Sequence, residues 1–317
     1  MERPPRSVYL RRRLVALAGA AAVVVAVVAF VVRGGGAGDE TRGAVGPGAT
    51  ATVAPDRPEL PGGGRQLLPD RRIVAFYGAP QDEELGALGI GTPDQAARRL
   101  ARQARAYARP GRPVQPALEL IAVIANADPG DDGMYRTRQP ARVIDRYLRT
   151  ARRHGMLLLL DIQPGRADFF DEAARLERWL REPDVGLALD PEWRVGPGEV
   201  PGQVIGSVDP REVNATSAWL AQLSARHDLP QKLFLIHQFT DDMVDHTQVK
   251  DRPELAFVLN ADGFGTPPVK KSKYHAFSGD APGFHHGFKL FYEEDVGLMT
   301  PRQVLRLRPA PDVVEYE

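Results

Sequence analysis

The 317-residue chain contains no cysteine, and its 41 Lys and Arg residues are balanced by 41 Asp and Glu residues. The missing cysteine excludes disulfide bonds, thiolate metal ligands, cysteine nucleophiles and lipid-modified cysteines. The zero net charge excludes a nucleic-acid-binding protein that relies on an overall positive charge. No motif predicts a cofactor or a metal centre, and any metal would need His, Asp or Glu as its ligands.

The chain has one long apolar run, at residues 14–32, which five arginines precede and only Arg33 follows closely. At about 1.5 Å per helical residue the run reaches roughly 28 Å, which is enough to span a bilayer. The arginines predict a cytoplasmic N-terminus at residues 1–13, and the run is longer than the apolar core of a cleaved signal peptide. We therefore predict a single-pass anchor in the cell membrane with the rest of the chain outside the cytoplasm. A cleaved secretory signal is the alternative.

Residues 33–69 are rich in Gly, Pro, Ala and Thr and show no apolar periodicity. This composition predicts a disordered linker. Its two glycine triplets, at residues 34–36 and 62–64, have no preceding strand and no following helix. Neither triplet is therefore interpreted as a phosphate-binding loop.

From residue 70 to residue 317, short apolar segments alternate with amphipathic ones, a pattern typical of parallel α/β proteins. These roughly 250 residues match the usual size of a (β/α)8 barrel of the TIM type. We therefore predict one extracytoplasmic barrel domain, with a doubly wound open sheet as the alternative fold. Eight strands are predicted, at residues 73–78, 118–124, 157–162, 186–190, 233–237, 255–259, 287–292 and 312–316.

Three predicted helices begin with a capping side chain followed by proline, at Thr92-Pro93, Asp209-Pro210 and Thr300-Pro301. Proline suits the first helical turn because the backbone N–H that it lacks would have no partner within the helix. The chain stops directly after the eighth predicted strand, so a final helix is missing. We expect residues before Ile73 to cover that sector of the barrel.

Polar side chains cluster at the carboxyl ends of the predicted strands, where barrels of this type gather their catalytic groups. The opposite strand ends show no comparable cluster in the sequence. We predict Glu192, Asp190 and Asp161 as catalytic residues. The residues predicted to bind a substrate are Tyr77, Asn126, Gln163, Trp193, His237, Gln238, Asp262, Tyr292 and Glu293.

The carboxyls of Asp190 and Glu192 form the most distinctive local pattern. Strand periodicity places both on one face, above the small residues Gly186 and Ala188, which predicts open space above the barrel floor. Two neighbouring carboxyls suppress each other's ionisation, so that one stays protonated as an acid while the other stays charged, as glycosidic cleavage requires. The alternative is a strand-end pair held by an arginine such as Arg194.

Other strand-end residues leave alternatives open. Asp161 either assists Glu192 and holds a sugar hydroxyl, or caps the helix that follows it. Glu119 lies in an otherwise apolar strand and needs a partner, either at the site or in a buried ion pair. His237 and Gln238 point to opposite faces of their strand, so only one of them enters the barrel mouth.

Two predicted loops, at residues 191–208 and 261–286, are longer than usual for this fold. The first contains Trp193, whose ring can stack on a sugar. The second contains three lysines, which suit an anionic polymer or, alternatively, only keep a mobile loop soluble. These lysines are Lys270, Lys271 and Lys273.

The segment from Gly186 to Glu192 resembles the fourth-strand signature of family 18 chitinase-like barrels, Asp-Gly-x-Asp-x-Asp-x-Glu, and the Asp-x-Glu strand of family 25 lysozymes. Gly186, Asp190 and Glu192 match the signature, whereas Val185 and Ala188 stand where the chitinase pattern has aspartates. The resemblance implies that Glu192 is the general acid and that Asp190 positions and polarises it.

As a whole, the chain resembles membrane-anchored, glycosidase-like barrel proteins of actinobacteria. This resemblance and the strand-end carboxyls lead to the hypothesis of an extracytoplasmic hydrolase that acts on a cell-envelope polysaccharide. One alternative is a barrel that binds or scaffolds glycans without catalysis. Another is a metal-dependent hydrolase, whose ligands would be Asp161, Asp190, Glu192, His237 and Asp262.

Overall fold

The computed structural model describes residues 57–279 and 283–317 and shows a closed barrel of eight parallel strands. The first and last of these strands both pair with their neighbours around the ring, which confirms the predicted TIM-type fold over the open sheet. All eight predicted strands are present. Numbered along the chain, with β3 reserved for a short strand outside the ring, they are β1 (Arg72–Gly78), β2 (Val114–Ala125), β4 (Leu157–Ile162), β5 (Val185–Leu189), β6 (Lys232–Gln238), β7 (Leu255–Ala261), β8 (His285–Leu290) and β9 (Val313–Tyr316).

A short ninth strand, β3 (Arg136–Arg138), pairs antiparallel with the end of β2 outside the ring. Its two arginines hold the buried carboxylate of Glu172 at 2.8 and 2.6 Å. The hairpin was not predicted from the sequence, and it lengthens β2 beyond the rim of the barrel.

Helices surround the ring, and the three predicted starts are confirmed. Thr92 and Thr300 each form a reciprocal capping box, and the Asp209 carboxylate accepts a hydrogen bond from the backbone N–H of Arg211. The described helices are α1 (Pro93–Arg105), α2 (Ala141–Arg153), α3 (Phe169–Arg175), α4 (Glu177–Leu180), α5 (Pro210–Arg226), α6 (Pro267–Gly279) and α7 (Pro301–Val304).

Residues 57–69 lie against the amino ends of the strands. Leu60, Leu67 and Leu68 are buried there and join the apolar residues that fill this end of the barrel. The predicted disordered linker therefore extends too far, because its last part packs into the barrel. The segment closes the barrel floor.

No helix within the described residues is long and apolar enough to cross a membrane. The predicted anchor at residues 14–32 lies outside the described part of the chain, as does the linker up to residue 56.

The barrel interior has two layers, because alternate residues of every strand point inward. We call the aliphatic side chains near the strand starts the lower layer. It comprises Ile73, Ala75, Ala117, Leu157, Leu159, Ala188, Leu233, Leu235, Ala256, Val258 and Val313. We call the polar side chains that follow them the upper layer. It comprises Tyr77, Glu119, Asp161, Asp190, His237, Asn260, Asp262, Lys289 and Glu315.

The small residues below Asp190 do not themselves border the predicted open space above the barrel floor. A Cβ atom added at Gly186 would lie 2.8 Å from the side chain of Leu159 and 2.7 Å from the backbone oxygen of Leu233. Ala188 packs into the same lower layer. The small residues therefore make room for leucines of the neighbouring strands, and the free volume lies higher in the barrel.

Candidate active site

A cavity of about 440 Å³ opens at the carboxyl ends of the strands. Its floor belongs to the upper layer, through Tyr77, Asp190, Asp262 and Lys289. Its walls come from the loops that follow the strands. The wall residues are Glu83, Glu84, Gly86, Ala87, Ile90, Glu192, Trp193, Gly202, Gln203, Val204, Ile205, Phe239, Gly263, Phe264, Phe291, Tyr292, Glu293, Glu294 and Glu317.

His237 occupies the centre of the barrel beneath this cavity and is fully buried. Its Nδ1 lies 3.0 Å from Asp262 and its Nε2 lies 3.2 Å from Glu119. Asp161 and Glu315 each approach the ring to 3.9 Å. Burial alone would lower the pKa of His237, but Glu315 and the hydrogen bonds to Asp262 and Glu119 raise it well above its ordinary value. The ring is therefore an imidazolium that donates from both nitrogens.

Lys289 is the second buried cation of the upper layer. Its ammonium lies 2.8 Å from Glu317, 3.2 Å from Asp262 and 3.6 Å from Glu315, and 3.7 Å from the centre of the Tyr77 ring. Burial works against this charge, but the surrounding carboxylates outweigh it and raise the pKa of Lys289 well above its usual range. Lys289 thus stays charged and neutralises part of the acidic cluster.

Asp262 pairs with both cations, at 3.0 Å from His237 and 3.2 Å from Lys289. Burial would raise its pKa, but Lys289 and the hydrogen bond from His237 lower it below the ordinary aspartate value. Its second oxygen accepts the backbone N–H of Gly263 at 2.5 Å. Asp262 therefore lines the cavity as a fixed negative charge.

Asp190 behaves in the opposite way, although it lines the same cavity. Burial raises the pKa of Asp190 to about 7, with Glu192 adding to the rise and His237 opposing it. The Tyr77 hydroxyl lies 3.4 Å from its carboxyl group. Two carboxyls in one cavity with pKa values moved apart are the usual arrangement for acid–base chemistry.

Glu192 lies beside Asp190 in the cavity wall, but not in the way that strand periodicity predicted. Strand β5 ends at Leu189, and Pro191–Trp193 form a 3₁₀ turn. The turn is tied to the loop beyond it by a 2.7 Å hydrogen bond from the backbone N–H of Gly206 to the carbonyl of Glu192. Arg194 pairs with Asp168 and Glu212, so the alternative in which it holds the Asp190–Glu192 pair does not apply.

Asp161 and Gln163 lie behind Tyr77 and do not line the cavity. The Tyr77 hydroxyl donates to Asp161 at 3.2 Å, and the Gln163 amide donates to the same hydroxyl at 2.8 Å. Burial and the neighbouring Asp190 raise the pKa of Asp161 well above its ordinary value. Asp161 is completely buried and is not among the residues that line the cavity, and its predicted catalytic role stays a prediction.

The other predicted substrate-binding residues divide in the same way. Trp193, Tyr292 and Glu293 line the cavity, as does Asp262. His237 lies beneath the floor, which leaves it in reach of the carboxylates but not of a ligand in the cavity.

Asn126 and Gln238 are placed elsewhere. The Asn126 amide donates to Thr137 at 2.7 Å, within the β2–β3 hairpin. Gln238 faces the helix layer, and its amide donates to the carbonyl of Thr240 at 2.7 Å. Both side chains shape loops, and neither lines the cavity.

The lysines of the second long loop belong to α6 and do not form a basic face on the cavity. Lys270 is buried and pairs with Asp295 at 3.0 Å. Lys273 donates to the backbone carbonyl of Phe239 at 2.9 Å and lies over the ring of that residue. Two of the three lysines therefore brace the cavity wall from behind, which removes the support for an anionic polymer.

Sequence reasoning did not single out Lys289, Glu315 and Glu317 as site residues. A usable signal existed, because Lys289 and Glu315 are charged residues flanked by apolar ones within short predicted strands. The same signal drew attention to Glu119. The partners of each residue, however, depend on how the strands are staggered around the ring.

Glu119, His237 and Glu315 have potential metal-ligand atoms within 4.8 Å of one another. A metal bound by this group would have to displace the proton of His237, because a metal ligand must be a neutral imidazole. Lys289 already supplies a positive charge to Glu315. The described residues therefore favour a self-neutralised cluster.

No protein-family model matches the chain, and no curated protein matches it. Among solved structures, the chain is similar to a Xanthomonas albilineans dihydropteroate synthase with 4-aminobenzoic acid. The identity is 14%, the similarity covers 78% of this chain and 88% of that chain, and the TM-score is 0.31. A likeness this distant carries no argument about function.

Proposed function

We propose that the protein hydrolyses a glycosidic bond in the cavity at the carboxyl end of the barrel. One observation carries this proposal, namely that the buried Asp190, with a pKa of about 7, lines an aromatic-walled cavity together with Glu192. A carboxyl group that is protonated near neutral pH can serve as a general acid. This assignment exchanges the roles that the sequence resemblance implies for Asp190 and Glu192.

In the proposed reaction, the Asp190 carboxyl gives its proton to the glycosidic oxygen as the bond from that oxygen to the anomeric carbon breaks. A water molecule adds to the anomeric carbon and loses a proton to the Glu192 carboxylate. The fixed negative charge of Asp262 faces the positive charge that develops on the sugar ring. The proton balance closes when Asp190 and Glu192 exchange protons with solvent.

Tyr77 and Lys289 support these roles from below. The Tyr77 phenol is fully buried, and burial together with Asp161 raises its pKa, so it remains a neutral donor beside Asp190. Lys289 keeps Asp262 ionised. Neither group needs to change its protonation state during the reaction.

We propose that the enzyme acts outside the cytoplasm while residues 14–32 anchor it in the membrane. The sequence pattern of that segment supports the anchor, and a cell-envelope polysaccharide is the substrate within reach of a tethered barrel. No nucleic-acid partner is proposed, because the chain has no net positive charge.

The test is the release of reducing ends from purified peptidoglycan and other envelope glycans by the full-length protein in detergent. Asp190→Asn and Glu192→Gln should each abolish release while the circular dichroism spectrum is unchanged. The matched control is Asp171→Asn, which removes an exposed carboxyl from α3 on the outside of the barrel. Full activity in Asp190→Asn would overturn the assignment. Glycan binding without turnover, unchanged in both variants, would identify a non-catalytic glycan-binding barrel instead.

A further inference from the structure

The residues that line the cavity carry a strong excess of acidic groups. Eight carboxyls are present, and Lys289 is the one basic side chain among the described lining residues. Five of the carboxyls belong to the loops and strand ends above β1, β8 and β9, so they occupy one side of the mouth. We call this group the acidic rim, and it consists of Glu83, Glu84, Glu293, Glu294 and Glu317.

The nearby cations are engaged with protein groups, and Lys289 offsets the charge of Glu317 in the acidic rim. Lys289 contacts three carboxylates, of which only Glu317 belongs to the rim. Lys273 lies behind Phe239 and donates to its backbone carbonyl. Arg99 donates to the backbone carbonyls of Ala87 and Ile90 from outside the cavity. A ligand that enters the mouth therefore meets a negative potential that protein cations only partly reduce.

Apolar and aromatic side chains are interleaved with these carboxyls. Tyr292 is 41% exposed and stacks on Tyr316, so one face of its ring is presented at the mouth. Ile90 is 44% exposed and Val204 is 37% exposed, although both line the cavity. Exposed apolar groups at a cavity mouth mark a binding surface. Aromatic faces beside carboxylates suit a ligand that has both flat carbon–hydrogen faces and positive charge.

We infer that the cavity takes a glycan with free, protonated amino groups, such as a polymer that contains de-N-acetylated hexosamine. This inference rests on the proposed function, since it names the substrate class of the same site. Sugar rings would stack on the wall aromatics while the ammonium groups face the acidic rim. A neutral N-acetylated chain or an anionic chain would lose these charge contacts, and an anionic chain would also be repelled.

The experiment compares two probes by isothermal titration calorimetry on the full-length protein, namely the glucosamine tetramer and the N-acetylglucosamine tetramer. At about pH 5.5 both the sugar amines and ordinary carboxyl groups carry their charges. In about 20 mM salt the glucosamine tetramer should bind at least roughly tenfold more tightly, and in about 300 mM salt the difference should shrink. Equal or tighter binding of the N-acetylated tetramer would overturn the inference.

A second experiment removes negative charge from the acidic rim. Glu84→Gln combined with Glu293→Gln should weaken binding of the glucosamine tetramer about three- to tenfold and leave binding of the N-acetylated tetramer nearly unchanged. The matched control is Asp171→Asn combined with Glu254→Gln, which removes the same charge from positions that do not line the cavity. An equal loss in the rim variant and the control variant would show a long-range charge effect and would also overturn the inference.

Failure of this inference and failure of the proposed function can be told apart. If the N-acetylated tetramer binds more tightly and is cleaved in an Asp190-dependent way, the hydrolase remains and the substrate class is wrong. If the glucosamine tetramer binds selectively but neither tetramer nor polymer is cleaved, the class of ligand stands and the hydrolysis does not. Binding of neither tetramer would overturn the inference, and the release of reducing ends from envelope glycans would still decide the proposed function.

Discussion

The lower and upper layers of the barrel interior are built by the same strands, yet different forces hold them. On β6, Leu233 and Leu235 point into the lower layer, and His237, two residues further along, points into the upper layer. The lower layer is aliphatic and is closed from below by Leu67 and Leu68. The upper layer has at least five acidic side chains and two cations inside a protein. Apolar packing therefore determines the stability of the lower layer, and the balance of protons and charges determines the stability of the upper layer.

This difference shows where the fold keeps its function. Buried aliphatic residues stabilise a barrel in proportion to the apolar area that they remove from water. Buried carboxyls stabilise nothing unless they are paired or protonated, so they are expected where chemistry requires them. The following four predictions test the contrast between the layers, from the largest expected effect to the smallest.

Replacing Lys289 with methionine should have the largest effect. The change leaves Asp262, Glu315 and Glu317 without their shared cation, and breaking a buried ion pair costs about 3–5 kcal/mol. Because protonation of the carboxyls relieves this loss, the variant should approach wild-type stability as the pH falls. Urea denaturation at several pH values measures the effect, and Lys250→Met, at an exposed lysine, serves as the control. A loss that does not depend on pH would mean that packing dominates the upper layer too.

Leu235→Ala probes the lower layer at a completely buried position. Deleting a buried leucine side chain costs about 2–5 kcal/mol through lost burial and a residual cavity. Since no titratable group is removed, the loss in free energy of unfolding should be the same at acidic and neutral pH. A strong pH dependence in this variant would show that the two layers are not independent.

The upper layer should make the wild-type protein less stable as the pH rises from about 4 to about 8. The pKa is raised from 3.8 to about 7 at Asp190 and from 4.5 to about 8 at Glu315, in both cases chiefly by burial. Between the unfolded-state and folded-state pKa values the folded state binds more protons than the unfolded state. The stabilising contribution of these groups is therefore present at low pH and is lost as the pH rises. His237, whose pKa is also raised, acts in the same direction above 6.5.

Asp190→Asn should flatten this slope between about pH 4 and pH 7, with a difference on the order of 1–3 kcal/mol at the upper end. Guanidinium denaturation across that range provides the measurement, and Leu235→Ala is the control that should shift the curve without changing its slope. An unchanged slope in Asp190→Asn would contradict the raised pKa and, with it, the role of Asp190 as the acid.

The smallest effects on stability are expected for Gln163 and Asn126, two amides that were both predicted from the sequence to bind a substrate. Gln163→Leu removes a buried amide that donates to Tyr77 and accepts the backbone N–H of Ala125 at 3.1 Å, which should cost about 1–3 kcal/mol. Asn126→Ala removes only a hydrogen bond within the hairpin and should cost about 0.5 kcal/mol or less. Thermal unfolding monitored by circular dichroism would separate them, and equal losses would refute the different placements.

The chain pattern predicted the barrel because two local signals agreed along its whole length. Short apolar segments such as 157–162 and 233–237 define strands by composition, and Thr92, Asp209 and Thr300 define helix starts by local hydrogen bonds. Eight strands within the segment of about 250 residues that begins at residue 70 then favour the closed barrel. The linker prediction failed at residues 57–69, because whether Leu67 and Leu68 are buried depends on a barrel floor that is distant in sequence.

For the candidate site, the sequence by itself determined that Asp190, Glu192, Asp262, Trp193 and Tyr292 stand near strand ends and hence near one another. Only the tertiary structure decided which of them face the cavity and which protonation states Asp190 and Asp262 favour. Asp161 and Asp190 are both strand-end aspartates, but one lies behind Tyr77 and the other lines the cavity. The physical reason is that depth and charge environment come from the stagger of the strands around the ring, which brings Lys289 of β8 and His237 of β6 to the same carboxylate, Asp262.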